Sequence, residues 1–150
     1  INMATTTATI TLSSDIMPNY GGYSKTMTMT KAGSLIGLDE TIGFSRRKLA
    51  ATTAVDIISM ADAVILKETA ATGAPKVFVK NIGDGTGTIS KDKFVTISIG
   101  DTGGTPQPIG RLYGGDWMLF PVTGADNKDV VATPEDNNTV VLEYVMFFEV

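Results

Sequence analysis

The chain of 150 residues contains no cysteine and no histidine. Without cysteine there is no disulfide, no thiolate metal site and no cysteine nucleophile. Without histidine the commonest general base and the commonest metal ligand are both missing, and serine–histidine catalysis is impossible within the chain. Carboxylate pairs remain as an acid–base option, but no spacing in the sequence brings two of them together. The formal net charge of −4 gives no basic footprint for nucleic acid. No apolar run reaches the roughly 18 residues that a membrane span needs. No signal-peptide pattern opens the chain, and Met3-Ala4, behind Ile1-Asn2, reads as an ordinary initiation site.

What remains is a hydrophobic fraction of 43% against a charged fraction of 19%, the balance of a globular protein rather than a disordered one. The length predicts a single domain, 1–150, large enough to bury a core without staples. Residues 1–24 read as an N-terminal arm and loop at its start.

The strongest local signal is Thr139 to Val150. Its even positions, Val140, Leu142, Tyr144, Met146, Phe148 and Val150, form an uninterrupted apolar face. Its odd positions are apolar apart from Thr139, Glu143 and Glu149. A helical stripe through Val141, Tyr144, Val145 and Phe148 strands the other apolar residues, so the stretch is predicted to be a strand. An apolar strand of this length is a liability at a border, and is expected inside a sheet with earlier strands on both sides.

Other strands are predicted over Ala4 to Leu12, Lys25 to Lys31 and Thr41 to Ala50. In the last of these Ile42 and Phe44 share a face with Arg46 and Lys48, so it is expected to run out of the core into solvent. Thr53 to Leu66 is the one helix candidate: Thr53 sits where an N-cap would, and Ile57, Ala61, Val64 and Ile65 make a stripe. Further strands follow at Lys76 to Asn81 and at Phe94 to Gly100, the latter as the former's expected hairpin partner across Gly83 to Gly87. Asp116 to Val122 and Val130 to Ala132 complete the set, with Thr102 to Pro108 read as a loop. Short strands at this spacing predict an all-β fold, an antiparallel β-sandwich or jelly roll with at most one short helix.

No motif carries chemistry. Gly83 to Gly87 lacks the Gly-Lys-Ser/Thr ending of a phosphate loop and is followed by strand signals. Asp126-Asn127-Lys128-Asp129 has calcium-type ligands without the order or closing glutamate of a calcium loop. Asn137-Asn138-Thr139 matches a glycosylation acceptor, a pattern common by chance. Trp117 lies mid-strand and is expected in the core or a subunit interface. No catalytic residue, metal ligand or cofactor is assigned.

The second half has an order of elements that resembles a known family. It runs through Val77 to Asn81, Phe94 to Gly100, Gly110-Arg111-Leu112, Gly115-Asp116-Trp117-Met118-Leu119-Phe120-Pro121, Val130-Val131-Ala132-Thr133 and Val140-Val141-Leu142-Glu143-Tyr144. This is similar to small β-sandwich virion proteins of tailed bacteriophages, the capsid decoration or cement type. The match covers about two thirds of the chain, from roughly Val55 onward, and its motifs are loose strand grammar. The resemblance implies a non-enzymatic virion protein, assembled in the host cytoplasm. Its partners would be the major capsid protein or other virion proteins, with a homo-oligomer expected and a trimer favoured by analogy. No nucleic acid or membrane partner is expected. The residues expected to supply contacts are Thr5, Thr7 and Thr9 of the arm, Tyr20 and Tyr23 of the following loop, and the basic run Arg46, Arg47 and Lys48. Two rival expectations stand beside it: a tail, neck or baseplate component, and a carbohydrate-binding module using Tyr20, Tyr23, Tyr113 or Trp117 as stacking platforms.

Overall fold

A computed structural model describes residues 7–12, 23–28, 40–41, 44–50, 52–60, 74–86, 93–124, 128–135 and 139–148. Among these residues there are strands and no helix. In chain order the strands are β1 (Thr7–Leu12), β2 (Tyr23–Thr28), β3 (Glu40–Thr41), β4 (Ser45–Leu49), β5 (Val55–Ile58) and β6 (Lys76–Asn81). They continue with β7 (Phe94–Ile99), β8 (Gln107–Tyr113), β9 (Trp117–Pro121), β10 (Val130–Pro134) and β11 (Val140–Phe148).

The pairing is that of a long hairpin folded on itself. β7 pairs with β8, β6 with β9, β5 with β10 and β4 with β11, all antiparallel. Two further pairings, β10 with β7 and β11 with β6, join these into two sheets, ordered β5-β10-β7-β8 and β4-β11-β6-β9. This nested pairing divided between two sheets is the winding of a jelly roll. β3 continues the β4 flank of β11, so the second sheet has five strands but is four wide. β1 and β2 form a separate two-stranded sheet.

β11 lies between β6 on one flank and β3 and β4 on the other, as its apolar composition demands. Its even face is the core face: Val140, Leu142, Tyr144, Met146 and Phe148 are all buried there. They join Leu49, Val77 and Val79 from their own sheet. Ile57, Ile58, Val95, Ile97, Leu112, Val130 and Ala132 come from the other sheet. Alternation within β6 follows the same rule, with Val77 and Val79 fully buried and Lys76, Phe78 and Lys80 on the opposite side.

Three expectations are corrected. The start of the helix candidate is strand β5, because Val55, Ile57 and Ile58 are β-branched and the segment pairs with β10; residues 61–66 lie outside the described residues. β6 and β7 are not hairpin partners but lie in different sheets. After Asn81 the chain stays on β11, with Ile82 N donating to Val141 O at 2.9 Å and Val141 N to Gly83 O at 2.7 Å, while β9 occupies the other flank of β6. Phe44 is 63% exposed rather than inward. Thr41 pairs with Phe147 and Ser45 with Tyr144, so this flank holds one residue more than β11 does. A one-residue slip exchanges the faces.

Candidate interaction surface

Register places three rows of side chains across the outer face of the β11 sheet. Arg46, Glu143, Lys80 and Trp117 make the first. Val145, Phe78 and Leu119 make the second, and Phe147, Lys76 and Pro121 the third. Lys48 stands opposite Val141 on the same side. The centre is apolar and the border is cationic. Trp117 is 50% exposed, with its ring centroid 6.1 Å from that of Phe78, so it is a surface residue and not part of the core. Arg46 is paired with Glu143, and Lys76 Nζ donates to the Ala74 carbonyl at 2.6 Å. One step before β4, Phe44 is exposed.

Edge strand β4 explains the basic run. Arg46 and Lys48 alternate to the outer face, opposite Glu143 and Val141. Arg47, opposite the inward Leu142, instead reaches across the open side of the sandwich and donates to the Asp56 carbonyl of β5 at 2.7 Å. Successive cations on a border strand also deter pairing with another sheet.

The outer face of the other sheet has a different chemistry. Phe94 and Tyr113 meet with centroids 5.1 Å apart, and the Arg111 guanidinium lies 4.6 Å over the Phe94 ring. Thr96 and Thr133 lie in the adjoining row. The β7–β8 loop bends back toward β5, where Thr102 Oγ1 donates to Asp56 Oδ2 at 3.1 Å. The other carboxylate oxygen of Asp56 is buried and accepts no hydrogen bond.

The remaining carboxylates near these surfaces hold main chain. Asp101 accepts from Gly103 N, Asp116 from Tyr113 N, Asp84 from Thr86 N and the buried Asp129 from Met60 N. Among the described residues no group of three or more carboxylates is placed to hold a metal ion.

Of the expected contact residues, Arg46, Arg47 and Lys48 are exposed and adjacent on β4. Thr7 and Thr9 lie on β1, where the register sets them opposite Thr28 and Thr26, and Tyr23 pairs with Leu12. Thr5 and Tyr20 lie outside the described residues, as do Asp126, Asn127, Asn137 and Asn138. Nothing in the register brings the β1–β2 pair and β4 into one sheet. Sequence reasoning missed Phe44, Phe78, Lys76 and Lys80. The alternation of β6 was a usable signal for the last three, but only cross-strand register aligns them with Trp117 and Glu143.

No protein-family model matches the chain, and no curated protein sequence matches it.

Proposed function

We propose that the chain is a non-enzymatic structural protein of a bacteriophage virion, a decoration or cement subunit that bridges coat subunits and stabilises the shell. The observation that carries this reading is the jelly-roll winding, an architecture that viral capsid domains share with lectins. A fold hosts many functions, so the surface must agree with it. It does: Asp84, Asp101 and Asp116 hold turns, and the exposed large side chains Phe44, Trp117, Tyr113 and Ile109 lie on or beside edge strands, where a neighbour can reach them. The mechanism is bridging. Each copy buries apolar and polar surface on more than one coat subunit, and many weak contacts repeated by symmetry resist expansion of the shell.

The test is negative-stain imaging of particles labelled with an antibody to this protein. Label over the whole head is the expected result. Label confined to one vertex or to the tail assigns the protein to the tail, neck or baseplate, and particles without label remove it from the virion. The lectin branch of the same architecture, with Tyr113 39% exposed beside Arg111, favours a carbohydrate-binding module as the second reading. A glycan array decides it: a retained sugar lost on Tyr113→Ala or Trp117→Ala supports that reading, and an array without signal ends it.

A further inference from the structure

We propose that the outer face of the β11 sheet is the attachment surface, and that it takes a protein surface of opposite make-up, an apolar centre bordered by carboxylates. The proposal rests on the virion reading above and names the site and partner chemistry within it.

The chain holds 12 basic and 16 acidic residues. Among the described residues this face carries Arg46, Lys48, Lys76 and Lys80 against the single carboxylate of Glu143. An acidic chain has thus gathered cations on one face, and Glu143 is already paired with Arg46. The centre between these cations is the half-buried Phe78 and Leu119, flanked by Phe147 and the half-exposed Trp117, with Val145 already buried among them. Aromatic residues and arginine are the types that dominate protein interfaces, where a ring of polar contacts excludes water from an apolar middle.

The same charges select the occupant. A two-fold pairing of this face with itself would set cations against cations, so a second copy docked face to face is disfavoured. A nucleic acid would find cations, but on a chain whose overall charge of −4 repels phosphate. The apolar middle row offers a phosphate backbone nothing. A coat surface with an apolar patch and acidic border satisfies both the centre and the rim.

The experiment uses the full chain and two probes, heads and tails isolated from the phage that encodes it and freed of this protein. Binding is measured by co-sedimentation at low and high salt. Trp117→Ala is expected to raise the Kd about thirtyfold. The double variant Lys76→Glu/Lys80→Glu keeps the apolar centre intact and is expected to weaken binding about tenfold at low salt, with a smaller effect at high salt. Thr96→Ala/Thr133→Ala, on the opposite outer face, is expected to bind as wild type. Thermal unfolding confirms that each variant is folded, and the charge reversal carries the test should Trp117→Ala fail to fold. Wild-type binding that neither variant weakens overturns this surface and leaves the virion reading standing. A wild-type chain that binds neither heads nor tails overturns both. Retention of a DNA or RNA oligonucleotide, abolished by the same charge reversal, replaces the acidic protein partner and overturns the proposal.

Discussion

The Asn81 side chain donates from Nδ2 to the Leu112 carbonyl at 2.9 Å and so joins β6 of one sheet to β8 of the other. Its Oδ1 accepts from Gly83 N at 2.9 Å, and its own carbonyl accepts from Gly115 N at 2.8 Å. The residue is 1% exposed. The side-chain amide therefore satisfies the turn after β6 and the end of β8, while the main-chain carbonyl of the same residue holds the corner between β8 and β9. Asn81→Ala leaves the Leu112 carbonyl and Gly83 N unpaired in a buried setting, and is expected to cost about 3 kcal/mol. Asn81→Asp keeps the Gly83 bond but sets a carboxylate oxygen against the Leu112 carbonyl, and should cost at least as much. Urea denaturation monitored by Trp117 fluorescence checks both. A loss under about 1 kcal/mol for Asn81→Ala would mean that the amide is not holding the two sheets together.

Three glycines separate backbone strain from steric conflict. Gly85 has φ of +85°, and a Cβ there would stand 2.8 Å from Val141 Cγ2. Val141 is a stiff β-branched residue on the central strand and cannot swing aside. Gly115 has φ of +95°, and Gly110 would meet only the mobile Cε of Met118, also at 2.8 Å. The expected order of destabilisation is Gly85→Ala at about 2–4 kcal/mol, Gly115→Ala at about 1–2, and Gly110→Ala at under about 1. Thermal melts of the three variants test the order. Gly85→Ala equal to Gly115→Ala would remove the Val141 conflict from the account.

The elements legible in sequence were those whose alternation was clean and whose partners did not matter. β6 is predicted with the boundaries it has, and β11 is read correctly as a strand flanked on both sides. β8 was hidden because Pro108 and Gly110 are breakers in a central strand. On an edge Pro108 is tolerated, and the register shifts beside it between Ile97 and Ser98. β5 was hidden because Thr53 and Ile57 fit a capped helix as well as a strand, and only pairing with β10 decides. The interaction face was legible least of all. Arg46 and Glu143 are 97 residues apart, and Lys80 meets Trp117 only through the β6–β9 pairing. Periodicity says which residues share a side of a strand; it does not say which strands lie side by side.

The three cations of β4 give a prediction about association rather than folding. The Arg46–Glu143 pair is largely solvent-exposed on its arginine side, so Arg46→Ala is expected to cost under about 1 kcal/mol. Replacing Arg46, Arg47 and Lys48 together with Thr keeps strand propensity but strips the border of charge. The expected result is a folded protein whose light scattering rises with concentration, because an unguarded edge can pair with its like. A triple variant that stays as dispersed as wild type would show that the basic run does not guard this edge.

The Thr102–Asp56 hydrogen bond fastens the β7–β8 loop to a strand two places away in the sheet order, across β10. The bond is exposed, so its loss should open the loop locally while leaving the core intact. Val131 and Ser98 lie on the outer side of β10 and β7 yet are buried. Thr102→Val is therefore expected to lower global stability by no more than about 1 kcal/mol while speeding amide exchange across 101–105. Asp56→Ala removes the same bond together with a buried carboxylate oxygen that accepts nothing, so its own cost need not be large. A double-mutant cycle separates the pair from the rest: a coupling of about 0.5–1 kcal/mol is expected between Thr102→Val and Asp56→Ala. Strict additivity, with unchanged exchange in the loop, would show that the two side chains touch without holding the loop in place.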